Sequence, residues 1–148
     1  MTTSKIAFPD GFVWGSATSG YQTEGPNHHA DIWAEESAAN SPYTDPSGQA
    51  IEHYARFESD IALLASLGLK AYRFSVEWSR VEPREGEFDE GELAHYRAVA
   101  EACHAHGLVP MMTLHHFVSP KWLMALGGWK GTRTPALFGR YADRKSVV

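Results

Sequence analysis

A single cysteine, Cys103, stands in these 148 residues. No internal disulfide can form, and no CxxC pair offers thiolates to a metal. One isolated thiol suits a reducing compartment, so the cytoplasm is expected. Positive charge is short as well: 13 Lys and Arg face 18 Asp and Glu, for a net charge of −5. Without a basic stripe there is nothing to grip phosphates, and no nucleic-acid partner is expected. No apolar run approaches the ~18 residues that would cross a bilayer. Met1 to Phe12 also lacks the apolar core of a secretory signal. No membrane association is expected.

What is present argues for a folded chain. Apolar residues make up 43%, which sets the sequence apart from disordered ones. The length suits one domain over 1–148 with a real core. Five Trp, six Tyr and seven Phe are a heavy aromatic load. Aromatic faces stack on sugar rings, although any single ring more often fills a core.

The periodicity alternates along the chain. Phe12 to Thr18 reads as a first strand, followed by a long polar connection over 19–48 that is interrupted by Gly25-Pro26, Pro42 and Pro46. A helical turn at Asp31 to Glu36 fits inside it. So long a connection in a compact domain is usually functional. Residues 49–67 place Tyr54, Phe57, Ile61, Leu64 and Leu67 on one helical face, and Gly68 is set to close that helix in the left-handed region. Lys70 to Trp78 then alternates. Tyr72, Phe74, Val76 and Trp78 share one side, with Arg73, Ser75 and Glu77 opposite. Asp89 with Glu92 reads as a helix start. Leu93, Tyr96, Ala100 and Cys103 form that helix's buried stripe, and Gly107 ends it. Leu108 to Leu114 is nearly all apolar, as in a parallel strand covered on both faces. Ser119-Pro120 and Thr134-Pro135 open two further helices by proline's preference for the first turn. Strand and helix in strict rotation predict a parallel sheet with right-handed crossovers.

Polar groups collect where the strands end. These are Gln22 and Glu24, then Arg73 to Arg80, then His115 and His116. The C-terminal strand ends are where β/α barrels carry their chemistry. Arg73 needs a carboxylate if buried. Glu77, four residues on and on the same side, is one candidate, and a carboxylate from a later strand is the other. His115 and His116 are strand neighbours that point to opposite faces, so a shared metal ion is not expected. His116 as a neutral imidazole can bond a sugar hydroxyl, and Gln22 offers both a donor and an acceptor. His28-His29 reads as solvated.

Four segments, FVWGSATSGYQTEG, YRFSVEWSRVEP, TLHHFVSPKWL and the Gly-Gly-Trp at Gly128, closely resemble glycoside hydrolase family 1, the β-glucosidases and their relatives. The likeness runs from about Phe8 to Trp129. It implies an α/β fold, the N-terminal three or so β/α units of a (β/α)8 TIM barrel, and retaining hydrolysis of β-linked glycosides without metal or other cofactor. By position, Gln22 and His116 resemble the residues that bond the terminal sugar's hydroxyls. Arg73 resembles the arginine that orients the nucleophilic glutamate. The family usually has Trp directly after the second histidine, then Asp, where this chain has Phe117 and Val118. Phe117 keeps an apolar face for the sugar and loses the indole donor. Pro26 also stands where a small residue is usual.

The resemblance further implies an acid/base in an Asn-Glu-Pro segment and a nucleophile in a Glu-Asn-Gly segment. Neither segment occurs here. A complete barrel typically takes ~250 residues. The expectation is an N-terminal piece of a β-glycosidase, inactive alone, whose third strand exposes an apolar edge prone to self-association. Two other readings remain open: a non-catalytic sugar-binding remnant, and a fragment that completes a barrel with another chain.

Overall fold

The computed structural model describes residues 7–145. Three parallel strands, β1 (Gly15–Ala17), β2 (Ala71–Ser75) and β3 (Val109–Thr113), form one sheet in that order. Arg73 is the register point, opposite Ala17 on one side and Met111 on the other. Among the described residues, seven helices connect or follow the strands: α1 (Gly20–Thr23), α2 (Asp31–Glu36), α3 (His53–Ser66), α4 (Trp78–Val81), α5 (Glu90–Ala105), α6 (Lys121–Ala125) and α7 (Thr134–Lys145). A 3-10 turn covers Gly128–Lys130. Among the described residues no helix is long and apolar enough to cross a membrane.

The alternation of β2 directs the packing as expected. Tyr72, Phe74 and Val76 are buried with Ile61 of α3 and with Leu93, Tyr96, Val99 and Cys103 of α5. Tyr72 also ties the sheet to α3 through polar atoms. Its hydroxyl lies 2.9 Å from His53 Nε2 and 2.6 Å from Thr18 Oγ1, while His53 Nδ1 lies 2.7 Å from Asp60. The carboxylate can only accept, so Nδ1 donates to it and Nε2 accepts from Tyr72. The helix ends follow their sequence signals. Asp89 Oδ1 accepts from the Gly91 and Glu92 N–H groups at 2.8 and 3.2 Å. Gly68 turns the chain after α3 at φ +83, a conformation that costs glycine nothing.

Five expectations are corrected. The second strand stops at Ser75, three residues early. The Glu77 carbonyl there accepts from the Arg80 and Val81 N–H groups, and a helical turn begins although the apolar alternation runs on to Trp78. The first strand is limited to Gly15–Ala17, and α3 begins at His53 after two turns with Ala50 and Glu52 at positive φ. Pro120 caps α6 from outside rather than opening its first turn. The third strand is covered on one face only. Val109 and Met111, which share a side with Arg73, are 57% and 56% exposed.

Candidate active site

The site is built at the C-terminal ends of β1 and β3. After β1 the chain folds into the short α1, where the Ser19 carbonyl accepts from Gln22 N–H at 3.1 Å and from Thr23 Oγ1 at 2.9 Å. Tyr21 is buried against Ala30 and Val118. With Tyr21 turned inward, its neighbour Gln22 is exposed to a cleft of about 450 Å³. His116 and Phe117, from the loop after β3, line the same cleft.

The two loops are stitched together. Asp31 Oδ1 accepts from Ser119 N–H at 3.0 Å and from Ile32 N–H at 2.8 Å, and the Asp31 N–H donates to the Ser119 carbonyl at 2.8 Å. Burial raises the Asp31 pKa above its ordinary value, against the lowering effect of those N–H donors. A second set of bonds holds the outer wall. Tyr21 Oη donates to Glu36 Oε2 at 3.0 Å, and the Ser47 hydroxyl donates to Glu36 Oε1 at 2.5 Å. Desolvation, reinforced by Glu36, raises the Tyr21 pKa, so this phenol stays protonated. Neither set was anticipated from the sequence. Ser119, the distant partner of Asp31, lies 88 residues away, and only an acidic residue opening a helical stretch hinted at a role.

Arg73 lies on the open face of β2. Its Nε donates to Thr113 Oγ1 at 2.7 Å, and Nη2 lies 3.4 Å from His116 Nδ1. The guanidinium thus bonds β3 and the loop that follows it, while Glu77 Oε1 accepts from the Ser75 hydroxyl. Because arginine only donates, His116 Nδ1 accepts and its proton is assigned to Nε2. His115 turns the other way, to Ser119 Oγ at 3.3 Å and to the Trp129 ring at 4.5 Å. Burial and the neighbouring His116 lower the His115 pKa. The two histidines therefore face different surroundings, and among the described residues no group of three or more His, Cys, Asp or Glu side chains could hold a metal ion.

Phe117 is a strained residue. Its φ is +65, in the left-handed region that a Cβ disfavours, and its ring is 80% exposed beside His116. Such strain at a cleft rim accompanies function more often than chance allows. Gln22, His116 and Phe117 are thus brought to one cleft, with Arg73 bonded to its edge. Glu24, read with Gln22 as a strand-end polar group, is instead buried beneath the turn.

Three parallel β/α units with a polar cleft at the carboxyl ends of their strands are the arrangement in which β/α barrels place their sites. The chain belongs to glycosyl hydrolase family 1, whose description matches residues 4–145. It is 35% identical to Beta-glucosidase A of Acetivibrio thermocellus over 149 residues, covering 95% of this chain and 33% of that protein. It is 37% identical to the aryl-phospho-beta-D-glucosidase BglC of Bacillus subtilis, covering 91% and 30%. Among solved structures it superimposes on beta-glycosidase BGL167 with a TM-score of 0.92 at 52% identity, covering 95% of this chain and 34% of that one. The chain spans about a third of the length of the relatives it matches.

Proposed function

We propose that residues 1–148 form part of one domain, the sugar-ring wall of a retaining β-glycosidase site, with β-glycosides or oligosaccharides as the substrate class. One observation carries this reading. Gln22 and His116, from loops after different strands, line one cleft. The Gln22 amide and the His116 Nε2–H bond hydroxyls of the terminal sugar, and the exposed Phe117 ring supplies an apolar face. Arg73, tied to His116 and Thr113, orients a carboxylate that other residues provide.

Retention requires two carboxyl groups roughly 5–5.5 Å apart, one as acid/base and one as nucleophile. Glu36 and Asp45 also line the cleft, but neither stands in an Asn-Glu-Pro or Glu-Asn-Gly segment, and Glu36 is held by Tyr21 and Ser47; on this reading the chain alone is inactive. The purified chain is expected to leave an aryl β-glucoside intact. Turnover is expected when a polypeptide carrying the remaining barrel strands and both glutamates is co-expressed, and His116→Ala in the shorter chain should cut that turnover at least tenfold. Turnover by the chain alone, persisting through purification and abolished by His116→Ala, contradicts the reading. If the chain is a binding remnant instead, calorimetry with glucose or cellobiose gives a measurable heat that Gln22→Ala removes.

The open face of β3 supports self-association. Val109 and Met111 leave apolar surface beside an unfilled strand edge, the kind of edge that pairs with other chains. Sedimentation velocity is expected to show concentration-dependent dimers that Met111→Lys shifts towards monomer. A purely monomeric parent chain contradicts this. The single buried Cys103, its thiol pushed up to about 11 by burial, supports a reducing compartment such as the cytoplasm.

A further inference from the structure

Two buried carboxyl groups, Glu24 and Glu77, have no part in the cleft. Glu24 closes α1, and Glu77 follows β2. The Glu24 side chain is 5% exposed and Glu77 is 3% exposed. Both converge on one backbone position. A Cβ at Gly20 would stand 2.6 Å from Glu77 Oε1 and 3.0 Å from Glu24 Oε1. Only glycine lets the turn that carries Gln22 sit this close to both.

The turn hangs from these two groups. Gly20 N–H donates to Ser75 Oγ at 2.7 Å, and the Ser75 hydroxyl donates to Glu77 Oε1 at 3.0 Å. The Tyr96 hydroxyl accepts the Glu77 N–H at 3.3 Å and lies 3.0 Å from both Glu24 oxygens, to which it donates. The groups around Glu24 and Glu77 come from four helices. Arg80 of α4 bonds Glu24 Oε2 at 2.9 Å. Helix α5 presents Tyr96, His95 and Glu92, α3 presents Tyr54 and His53 with Glu52 just before it, and Tyr141 of α7 lies in the field of both acids. His95 supplies no positive charge, since burial and Arg80 push its pKa down to about 4. Glu92 hydrogen-bonds Tyr54 and adds a further acid. Both side chains are almost wholly buried, and the cavity beside Glu24 is only about 10 Å³, so bulk solvent screens the two acids little. Two carboxylates in one dry site repel, and the favoured state leaves one of them protonated.

We propose that Glu24 and Glu77 hold one proton between them beneath α1, and that this shared proton sets the position of the Gln22 turn. Both act as positioning residues, through Gly20 and Ser75, and neither lines the cleft. The inference holds whichever ligand the cleft takes. Burial, with the Glu77 charge second, raises the Glu24 pKa to about 8 in spite of Arg80 and Tyr96. A pKa raised on folding stabilises the native state fully below the unfolded value near 4.5, and that contribution is lost as pH rises through about 8.

The test uses the whole chain on either side of that pKa. At about pH 6 the infrared spectrum should contain a protonated-carboxyl carbonyl band that is missing from Glu24→Gln, and the band should vanish with a midpoint near 8. The Gln22 side-chain amide resonance should shift with the same midpoint. Glu77→Gln should weaken proton affinity about tenfold, which lowers the midpoint by about one pH unit. Glu24→Gln, which mimics the protonated acid, should fold with a flatter stability-pH curve between about pH 5 and 9, whereas Glu24→Ala should be destabilised throughout. The proposal fails if the parent chain shows no such band at about pH 6, if Glu77→Gln leaves the midpoint in place, or if the Gln22 resonance ignores the transition. Should Glu24→Gln not fold, the parent chain and Glu77→Gln still decide the matter.

Discussion

Trp78→Ala is expected to remove about 3–5 kcal/mol of folding stability, the range for emptying a buried aromatic site. The ring is 1% exposed and anchors the cluster that joins α4, α6 and α7 to the sheet. It stacks on Tyr141 at 4.8 Å and meets Trp122 and Phe138 edge-on at 5.7 and 5.6 Å. Its Nε1–H donates to Glu82 Oε2 at 2.8 Å, and Glu82 is fully buried. Truncation therefore opens a cavity and strips a donor from a buried carboxylate, which keeps Gly86 N–H and Arg140. Against a total stability of about 5–15 kcal/mol, the loss leaves little reserve. Urea denaturation followed by far-ultraviolet circular dichroism measures it. Trp78→Phe, which keeps most of the stacking and loses the donor, should cost only about 1–3 kcal/mol. A Trp78→Ala chain within about 1.5 kcal/mol of the parent would show that the cluster collapses around the gap.

Arg80→Met is the second large effect, and it should depend on pH. Arg80 pairs with Glu24 at side-chain exposures of 13% and 5%. It also donates to the Gly25 and Pro26 carbonyls at 3.3 and 2.9 Å, so one guanidinium fixes the chain just beyond α1. Breaking a buried pair by removing one partner costs about 3–5 kcal/mol while the other remains charged. Arg80 lowers the Glu24 pKa, so its loss drives that pKa above about 8. Below that value Glu24 in the variant takes up a proton and avoids part of the penalty. The sign is that of an acid whose pKa is raised on folding, with stability lost as pH rises. The variant should then be destabilised most at about pH 9 and less at about pH 6, with the two orphaned carbonyls setting a constant floor. Denaturation midpoints at the two pH values check this. An equal loss at both would mean that Glu24 does not titrate between them.

Much of the fold was legible because it rests on neighbouring residues. The Asp89 cap, the Gly68 turn and the two-residue alternation of Tyr72 and Phe74 are local, and each appears as read. The second strand was overextended for the same reason. Trp78 continues the alternation, and nothing within a few residues announces that the Glu77 carbonyl begins a helical turn. In the candidate site, Gln22, His116 and Phe117 were found through motif likeness and do share a cleft. Glu24 reads as one of them from sequence because it is acidic and near a strand end. Its burial depends on Arg80 and Tyr96, 56 and 72 residues away. The wall formed by Tyr21, Glu36 and Ser47 and the Asp31–Ser119 stitch carry no periodic signature at all.

The sequence by itself determined the order of the strands and longer helices, the Asp89 and Gly68 helix ends, the buried sides of β2 and α5, and the family. Those properties follow from spacings of two and 3.6 residues and from short motifs. Only the tertiary structure decided which polar groups meet. It sent Arg73 to Thr113 and His116, buried Glu24 against Glu77, and left Val109 and Met111 bare. Such pairings depend on how parallel strands align across crossovers of dozens of residues. That alignment is settled by packing the entire core and not by any one segment.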